Sequence, residues 1–310
     1  MDFEHTSVLL AETIDALITD PAGIYVDCTL GGGGHSAAVA ARLAPAGWLV
    51  GLDQDPAAIR AAQTRLVNAP CRVSVVHSNF NRLPAVLDSL DIPQVDGILF
   101  DLGVSSHQLD VAERGFSYMN DGPLDMRMNP ADALTAYDVV NTYSEQRLAA
   151  IIAEYGEERW AKRIASFLVA ARNIHPLGST LQLVETIKKA IPAAARREGP
   201  HPAKRTFQAI RIEVNAELGI LRSSIENAVQ RLKPGGRICI ITFHSLEDRI
   251  AKQTLQELAK GCKCPRDLPV CVCNNVPSVK LLGKPVAPSP VELADNPRAR
   301  SAKLRVAEKV

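Results

Sequence analysis

The stretch IYVDCTLGGGGHSAAVAARL, Ile24–Leu43, constrains this chain more than any other. A β-branched and apolar run enters four consecutive glycines, Gly31–Gly34, and leaves them as an alanine-rich helical pattern. Gly32, Gly34 and Ala37 fit the spacing G-x-G-x-x-G/A between a strand and a helix. Glycines there permit a tight turn and let a ligand approach the main chain closely. The helix start behind them offers amide groups to an anion.

The alternation continues on both sides. Ile24–Leu30, Trp48–Leu52, Arg72–His77 and Val95–Leu102 are expected strands, separated by helical patterns at Ser36–Leu43, Pro56–Asn68 and Leu83–Leu90. Such alternation implies a parallel sheet covered by helices. After the fourth strand the pattern changes to helices, over Leu134–Gly156, Arg159–Asn173, Leu181–Ile191 and a long run from Ala203 to Leu232. Strand signals return at Arg237–Phe243, Val279–Val286 and Ala302–Ala307. The expected organisation is an α/β domain in two parts, residues 1–106 and 203–310, around an inserted helical domain over 107–202.

Composition sets the outer bounds. With 46% hydrophobic and 22% charged residues the chain has ordinary globular material. No apolar run approaches the ~20 residues that cross a bilayer, and the acidic start MDFEHTSVLLAE lacks the positive region of a secretory signal. The expectation is a cytoplasmic protein with no membrane partner. A net charge of +1 gives no global pull toward nucleic acid, so any such contact has to be local.

The acidic residues after the glycines narrow the ligand. Asp55 precedes Pro56 and reads as a helix N-cap with proline at the first helical position. Asp53 has no such duty in the sequence, and a carboxylate at a strand's carboxyl end can take both hydroxyls of a ribose. A nucleoside cofactor follows, either a dinucleotide such as NAD or S-adenosylmethionine. Asp27, close to the loop, repels phosphates and suits a sulfonium and an ammonium. The two tail strands are joined by about fifteen residues, which suits antiparallel closing strands rather than further parallel βα units. Both points favour methyl transfer, with an NAD-dependent oxidoreductase as the rival.

Seven segments are more particular. HTSVLL (His5–Leu10), DCTLGGGGHS (Asp27–Ser36), DLGVSSHQLD (Asp101–Asp110) and RGFSYMNDGPLDMRM (Arg114–Met128) stand in order. HPAKRTFQAIRIEVNAEL (His201–Leu218), TFHSLEDR (Thr242–Arg249) and NPRARSAKLRVAEK (Asn296–Lys309) follow them. Together they closely resemble the RsmH, or MraW, family of bacterial 16S ribosomal RNA cytosine-N4 methyltransferases, over essentially the whole chain. The resemblance implies a Rossmann-like methyltransferase sheet with an inserted all-helical recognition domain, S-adenosylmethionine as methyl donor, and a cytidine of the ribosomal P-site region as acceptor. It carries cofactor contacts onto Gly33, Gly34, His35, Asp53, Phe80, Asp101 and Gln108. His107 stands where proline is common in the family, which bears on the loop that holds Gln108.

Methylating an exocyclic amine requires alignment with the donor methyl and acceptors for its N–H groups. The polar-proline-proline-aromatic motif of DNA amino-methyltransferases is absent, and DLGVSS stands in its place. Asp101, Ser105 and the main chain of Leu102–Val104 are acceptor candidates, and Ser105 and His244 are the candidates for a catalytic side chain. A base inside folded RNA must also leave its stack. Arg196, Arg197, Lys204, Arg205 and Arg211, with Arg298, Arg300, Lys303 and Arg305 in the tail, are candidate phosphate contacts. Asp125 and Arg127 are expected to shape the substrate side of the cleft. Non-catalytic ribosome assembly with a retained cofactor site is the second rival. Cys262, Cys264, Cys271 and Cys273 have C-x-C spacing twice, tighter than the usual C-x₂₋₄-C of zinc sites. Reduced thiols are expected, with one tetrahedral structural zinc as the alternative and a redox pair least favoured in the cytoplasm, and no metal is assigned.

Overall fold

The computed structural model describes residues 7–197, 199–262, 264, 272–273 and 275–310. His5 and Thr6 of the first quoted segment, and Cys271, lie outside the described residues. The chain divides into two compact units, 1–103 with 218–310, and 104–217.

The first unit is built on a seven-stranded sheet: β1 (Ile24–Asp27), β2 (Trp48–Asp53), β3 (Arg72–His77), β4 (Val95–Asp101), β5 (Leu232–Thr242), β6 (Val279–Leu281) and β7 (Lys303–Lys309). Their order is β3-β2-β1-β4-β5-β7-β6. β1 to β5 are parallel to one another, whereas β7 runs antiparallel to both β5 and β6. Between β6 and β7 the chain carries the helix Pro290–Asp295 and a 3₁₀ turn, Pro297–Ser301, and β7 then inserts between β5 and β6 against the direction of both. Chain direction therefore separates this sheet from one that closes with further parallel βα units.

Apolar runs bury the centre of the sheet on both faces. Val26, Val50, Ile98, Phe100, Ile238 and Ile240 belong to one core, and Tyr25, Leu49, Leu99, Cys239 and Ile241 to the other. This is period-two alternation with both faces covered by helices. Tyr25 sits opposite Gly97 in the β1–β4 register. A Cβ at Gly97 would lie 2.6 Å from the Tyr25 ring, so only glycine leaves room for it. The Tyr25 hydroxyl accepts from Thr19 N and Asp20 N, both at 2.9 Å, and donates to Asp20 O. The buried phenol is thereby satisfied.

Several elements are shorter than their sequence patterns. β1 ends at Asp27 because the chain turns into the glycine loop, with Cys28 N donating to Leu99 O and Leu30 N to Leu52 O. The helix Pro56–Arg65 starts where expected, with Asp55 Oδ1 accepting from Ala57 N at 2.9 Å. The helix Ser245–Leu258 carries no signal read from the sequence; its start is built by His244 and Glu247.

The second unit is helical and has its own core, including Leu148, Ile152, Ile164, Leu168, Ile187, Phe207 and Ile210. The expected Leu134–Gly156 helix is two helices, Ala136–Thr142 and Glu145–Gly156, each started by a hydroxyl cap from Thr135 or Ser144. The long run after Ala203 breaks at Ala216, whose φ is 49°, into Lys204–Asn215 and Glu217–Arg231. Lys204–Asn215 belongs to the helical unit, although the sequence pattern grouped it with the second part of the α/β domain. Phe207, Ala209 and Ile210 enter that unit's core, which decides the matter. Among the described residues, no helix is long and apolar enough to cross a membrane.

Candidate active site

In the order β3-β2-β1-β4-β5, the chain runs outward from β1 through β2 to β3 on one side, then crosses back to place β4 on the other side of β1. Ligands of open α/β sheets bind beyond the carboxyl ends of the strands at such a switch point. Asp27 and Asp101 end β1 and β4 there, and Asp53 ends the neighbouring β2.

The glycine loop is pinned from both sides. Asp53 Oδ2 accepts from Gly31 N at 2.8 Å, and Asp53 Oδ1 accepts from Asp55 N at 2.8 Å. The reading that Asp53 has no structural duty is thus corrected: it anchors the loop. Burial pushes its carboxyl up to about 6, against the opposing effect of those two amides. Gly33 is the N-cap of the helix Gly34–Arg42, in the left-handed conformation at φ 77°, and no side chain caps that helix. Its first-turn amides are therefore left without a side-chain acceptor, as an anion site requires. A Cβ on Gly33 would lie 3.3 Å from Ala62 Cα, and one on Gly34 would lie 2.1 Å from Ser7 Oγ. Gly33→Ala should cost about 1–2 kcal/mol through its left-handed backbone, read as a fall of several degrees in the cofactor-free melting temperature.

Asp27 faces inward. Its Oδ2 accepts from Ser36 Oγ at 2.7 Å and its Oδ1 from Thr29 N at 3.1 Å, so it ties the strand end to the helix start. Burial raises its pKa. Thr29 in turn accepts from Asp101 N through Oγ1 at 2.6 Å. Thr29 and Ser36 were not singled out in the sequence, although both lie within the glycine segment.

His35 is 5% exposed and lies between two acceptors. Its Nε2 is 3.0 Å from Val8 O and its Nδ1 is 3.3 Å from Asp101 Oδ2. Burial by itself lowers the His35 pKa, but the Asp101 carboxylate overrides it and the net shift is upward. A ring nitrogen facing a carbonyl must carry a proton, and one facing a carboxylate is favoured to do so. The arrangement therefore favours the imidazolium. Asp101 Oδ1, in contrast, is buried and has no hydrogen-bond partner among the described residues. An acceptor in that condition costs free energy until a donor arrives.

Phe80 opens a short 3₁₀ turn after β3 and is half-buried, its ring edge-on to Phe100 with centroids 5.6 Å apart. Asn79 beside it donates to Gln54 Oε1 at 2.6 Å, joining the loops after β3 and β2. His244 caps the helix Ser245–Leu258. Its Nδ1 accepts from Glu247 N at 3.5 Å, while Glu247 Oε2 accepts from Phe243 N at 2.9 Å. His244 Nε2 lies 3.0 Å from Glu247 Oε1. This histidine has a structural duty at the helix start.

Ser105 and Gln108 belong to the helical unit. They form a capping box on the helix Ser106–Asp110: Ser105 Oγ accepts from Gln108 N at 3.2 Å, and Gln108 Oε1 accepts from Ser105 N at 3.1 Å. Asp125 and Arg127 pair with each other, Nη2 to Oδ2 at 2.6 Å, and the pair lowers the Asp125 pKa despite its burial. Of the candidate phosphate contacts, Arg211 is held by Glu217 through two bonds of 2.8 and 2.9 Å. Lys303 and Arg305 both pair with Asp248, at 3.0 and 2.8 Å. Each of those three cations therefore has a carboxylate partner within the protein, and Lys303 and Arg305 share a single one. Arg196, Arg197, Lys204 and Arg205 are exposed.

A glycine loop after β1, an acid ending β2, an acid ending β4 and an antiparallel β7 define a Rossmann-like methyltransferase sheet. Residues 2–310 match the profile of the MraW methylase family, and the chain belongs to that family. Its methyl donor is S-adenosylmethionine. The chain is 55% identical to the ribosomal RNA small subunit methyltransferase H of Clostridioides difficile strain 630, over 100% of both chains. It is 56% identical to the protein of the same name from Ruminiclostridium cellulolyticum, again over 100% of both. A third, from Symbiobacterium thermophilum, is 56% identical over 100% of this chain and 98% of its own. Among solved structures, a methyltransferase homologue from Pyrococcus horikoshii aligns over 99% of this chain and 68% of its own, with 13% identity and a TM-score of 0.45.

Proposed function

We propose that the protein transfers a methyl group from S-adenosylmethionine to the N4 amine of a cytidine in the P-site region of 16S ribosomal RNA, within the small ribosomal subunit. The family supports methyl transfer, and relatives more than half identical bear the name of small-subunit ribosomal RNA methyltransferases. The observation that carries the site is Asp101 Oδ1, a buried acceptor without a donor among the described residues, at the sheet's switch point.

When bound, the cofactor supplies an electrophilic methyl on a sulfonium. The first turn of the helix Gly34–Arg42, uncapped by any side chain, receives a carboxylate. Asp53 takes the ribose hydroxyls while its other lone pairs keep the loop amides. Phe80 offers a ring to the adenine. His35 fixes Asp101 through Oδ2, so that Oδ1 meets a donor of the bound ligands in one orientation. Gln108 lies in the first turn of the helix Ser106–Asp110, fixed by its capping box with Ser105. The exposed cations Arg196, Arg197, Lys204 and Arg205 of the helical unit contact RNA phosphates and help draw the target base from its stack.

The test is incubation with S-adenosylmethionine and small subunits lacking the modification, followed by nucleoside mass spectrometry of the digested RNA. New N4-methylcytidine is expected with subunits, and less with naked 16S RNA. Methylation at another atom or nucleoside overturns the acceptor. Tight cofactor binding with no methylated product on either substrate favours the assembly-factor reading.

A further inference from the structure

Outside the methyltransfer site, one group of three metal-binding side chains stands out among the described residues. The sulfurs of Cys262, Cys264 and Cys273 all lie within 4.8 Å of one another. The segment joins the helix Ser245–Leu258 to β6 in the first unit. Its base is closed by Asn275, whose Nδ2 donates to Lys260 O at 2.9 Å and Gly261 O at 2.7 Å. Ser278 N adds a bond to Leu258 O at 2.8 Å.

The geometry points to a structural zinc ion held by the thiolates of Cys262, Cys264 and Cys273. The Sγ atoms of Cys273 and Cys262 are 3.8 Å apart. A disulfide would bring them to about 2.05 Å. Sulfurs at two corners of a zinc tetrahedron, each about 2.3 Å from the metal, are separated by about 3.8 Å. Two main-chain amides also point at the sulfurs: Cys264 N donates to Cys262 Sγ and Val272 N to Cys264 Sγ, each at 3.4 Å. Amides in these positions can go on donating to sulfurs that a metal holds. Tight C-x-C spacing counts against chelation by two neighbours alone. Here the chain returns through Cys273 to supply a third sulfur, so the burden is shared. Cys271 lies outside the described residues, and no part of the site is assigned to it. A metal there would cross-link the start and end of the segment, a role separate from methyl transfer.

The full chain, untagged and purified without chelator under reducing conditions from zinc-supplemented culture, should carry about one zinc per molecule by plasma mass spectrometry. Cys262→Ser, Cys264→Ser and Cys273→Ser should each lose most of the metal, whereas Cys71→Ser should retain it. Circular dichroism and cofactor binding of each variant separate metal loss from failure to fold. Cobalt replacing zinc should give near-ultraviolet sulfur-to-metal charge transfer and the strong visible bands of a tetrahedral ion, and both should weaken in each of the three serine variants. Release of metal on acidification is expected because protons compete for the thiolates. Wild-type protein with less than a tenth of a zinc and three freely alkylated thiols overturns the proposal. So does a Cys262–Cys273 disulfide, or full metal content in all three serine variants.

Discussion

Asp101→Asn should lower kcat/KM for methyl transfer about a hundredfold or more, with little change in the melting temperature. The substitution keeps the shape of the side chain and removes its charge. In the native protein the carboxylate is divided between two tasks. Oδ2 faces the His35 ring at 3.3 Å, and Oδ1 is buried without a partner among the described residues. An amide cannot serve both, because one of its two ends is a donor. If its oxygen turns toward His35, the NH₂ group occupies the place where a ligand donor is received. Losing one preorganised polar contact of this kind typically costs roughly 10²–10³ in rate. Steady-state kinetics with subunit substrate, together with cofactor binding by calorimetry, measure the effect. A wild-type rate in the asparagine variant would remove Asp101 from the site. His35→Ala should act in the same direction through the freed carboxylate, and also cost stability, because the Val8 carbonyl loses its partner.

The second large effect is a dependence on pH set by Asp53. Its carboxyl is pushed from an ordinary 3.8 to about 6 by burial. Ribose hydroxyls are bound best by the ionised form, so cofactor affinity should fall by up to tenfold per unit as pH drops below about 6. Stability of the cofactor-free protein moves the other way. Between 3.8 and about 6 the folded state keeps the Asp53 proton that the unfolded state has lost. The Asp53 contribution to stability therefore declines as pH rises through that window. Asp53→Asn should weaken binding at neutral pH and flatten its pH profile. Calorimetric titrations at several pH values check this, and an unchanged profile in the asparagine variant would assign the dependence to another group.

Both effects rest on contacts that sequence reasoning reached only partly. Asp53, Asp101 and His35 were identified as residues, from their places at strand ends and in the glycine segment. The partners that set their chemistry were not. Val8 gives no sequence signal, because it acts through its main-chain carbonyl from a segment 27 residues away. The basic residues show the same limit from the other side. Arg211, Lys303 and Arg305 are indistinguishable in sequence from exposed cations such as Arg196, yet each meets a carboxylate, Glu217 or Asp248. His244 and Ser105 also gain helix-capping duties in the fold.

The sequence by itself determined the features governed by neighbours along the chain. These include the alternation of strand and helix, the turn through Gly31–Gly34, the Asp55–Pro56 helix start and the switch to helices after β4. Each depends on side-chain period, capping or backbone freedom over a few residues, and needs no distant partner. Tertiary structure alone decided the insertion of β7 between β5 and β6, the inward use of Asp27, the division of Asp101 between His35 and an open oxygen, and the meeting of three sulfurs. Those depend on which distant segments become neighbours, and on the burial that then sets the cost of every charge and the value of every partner.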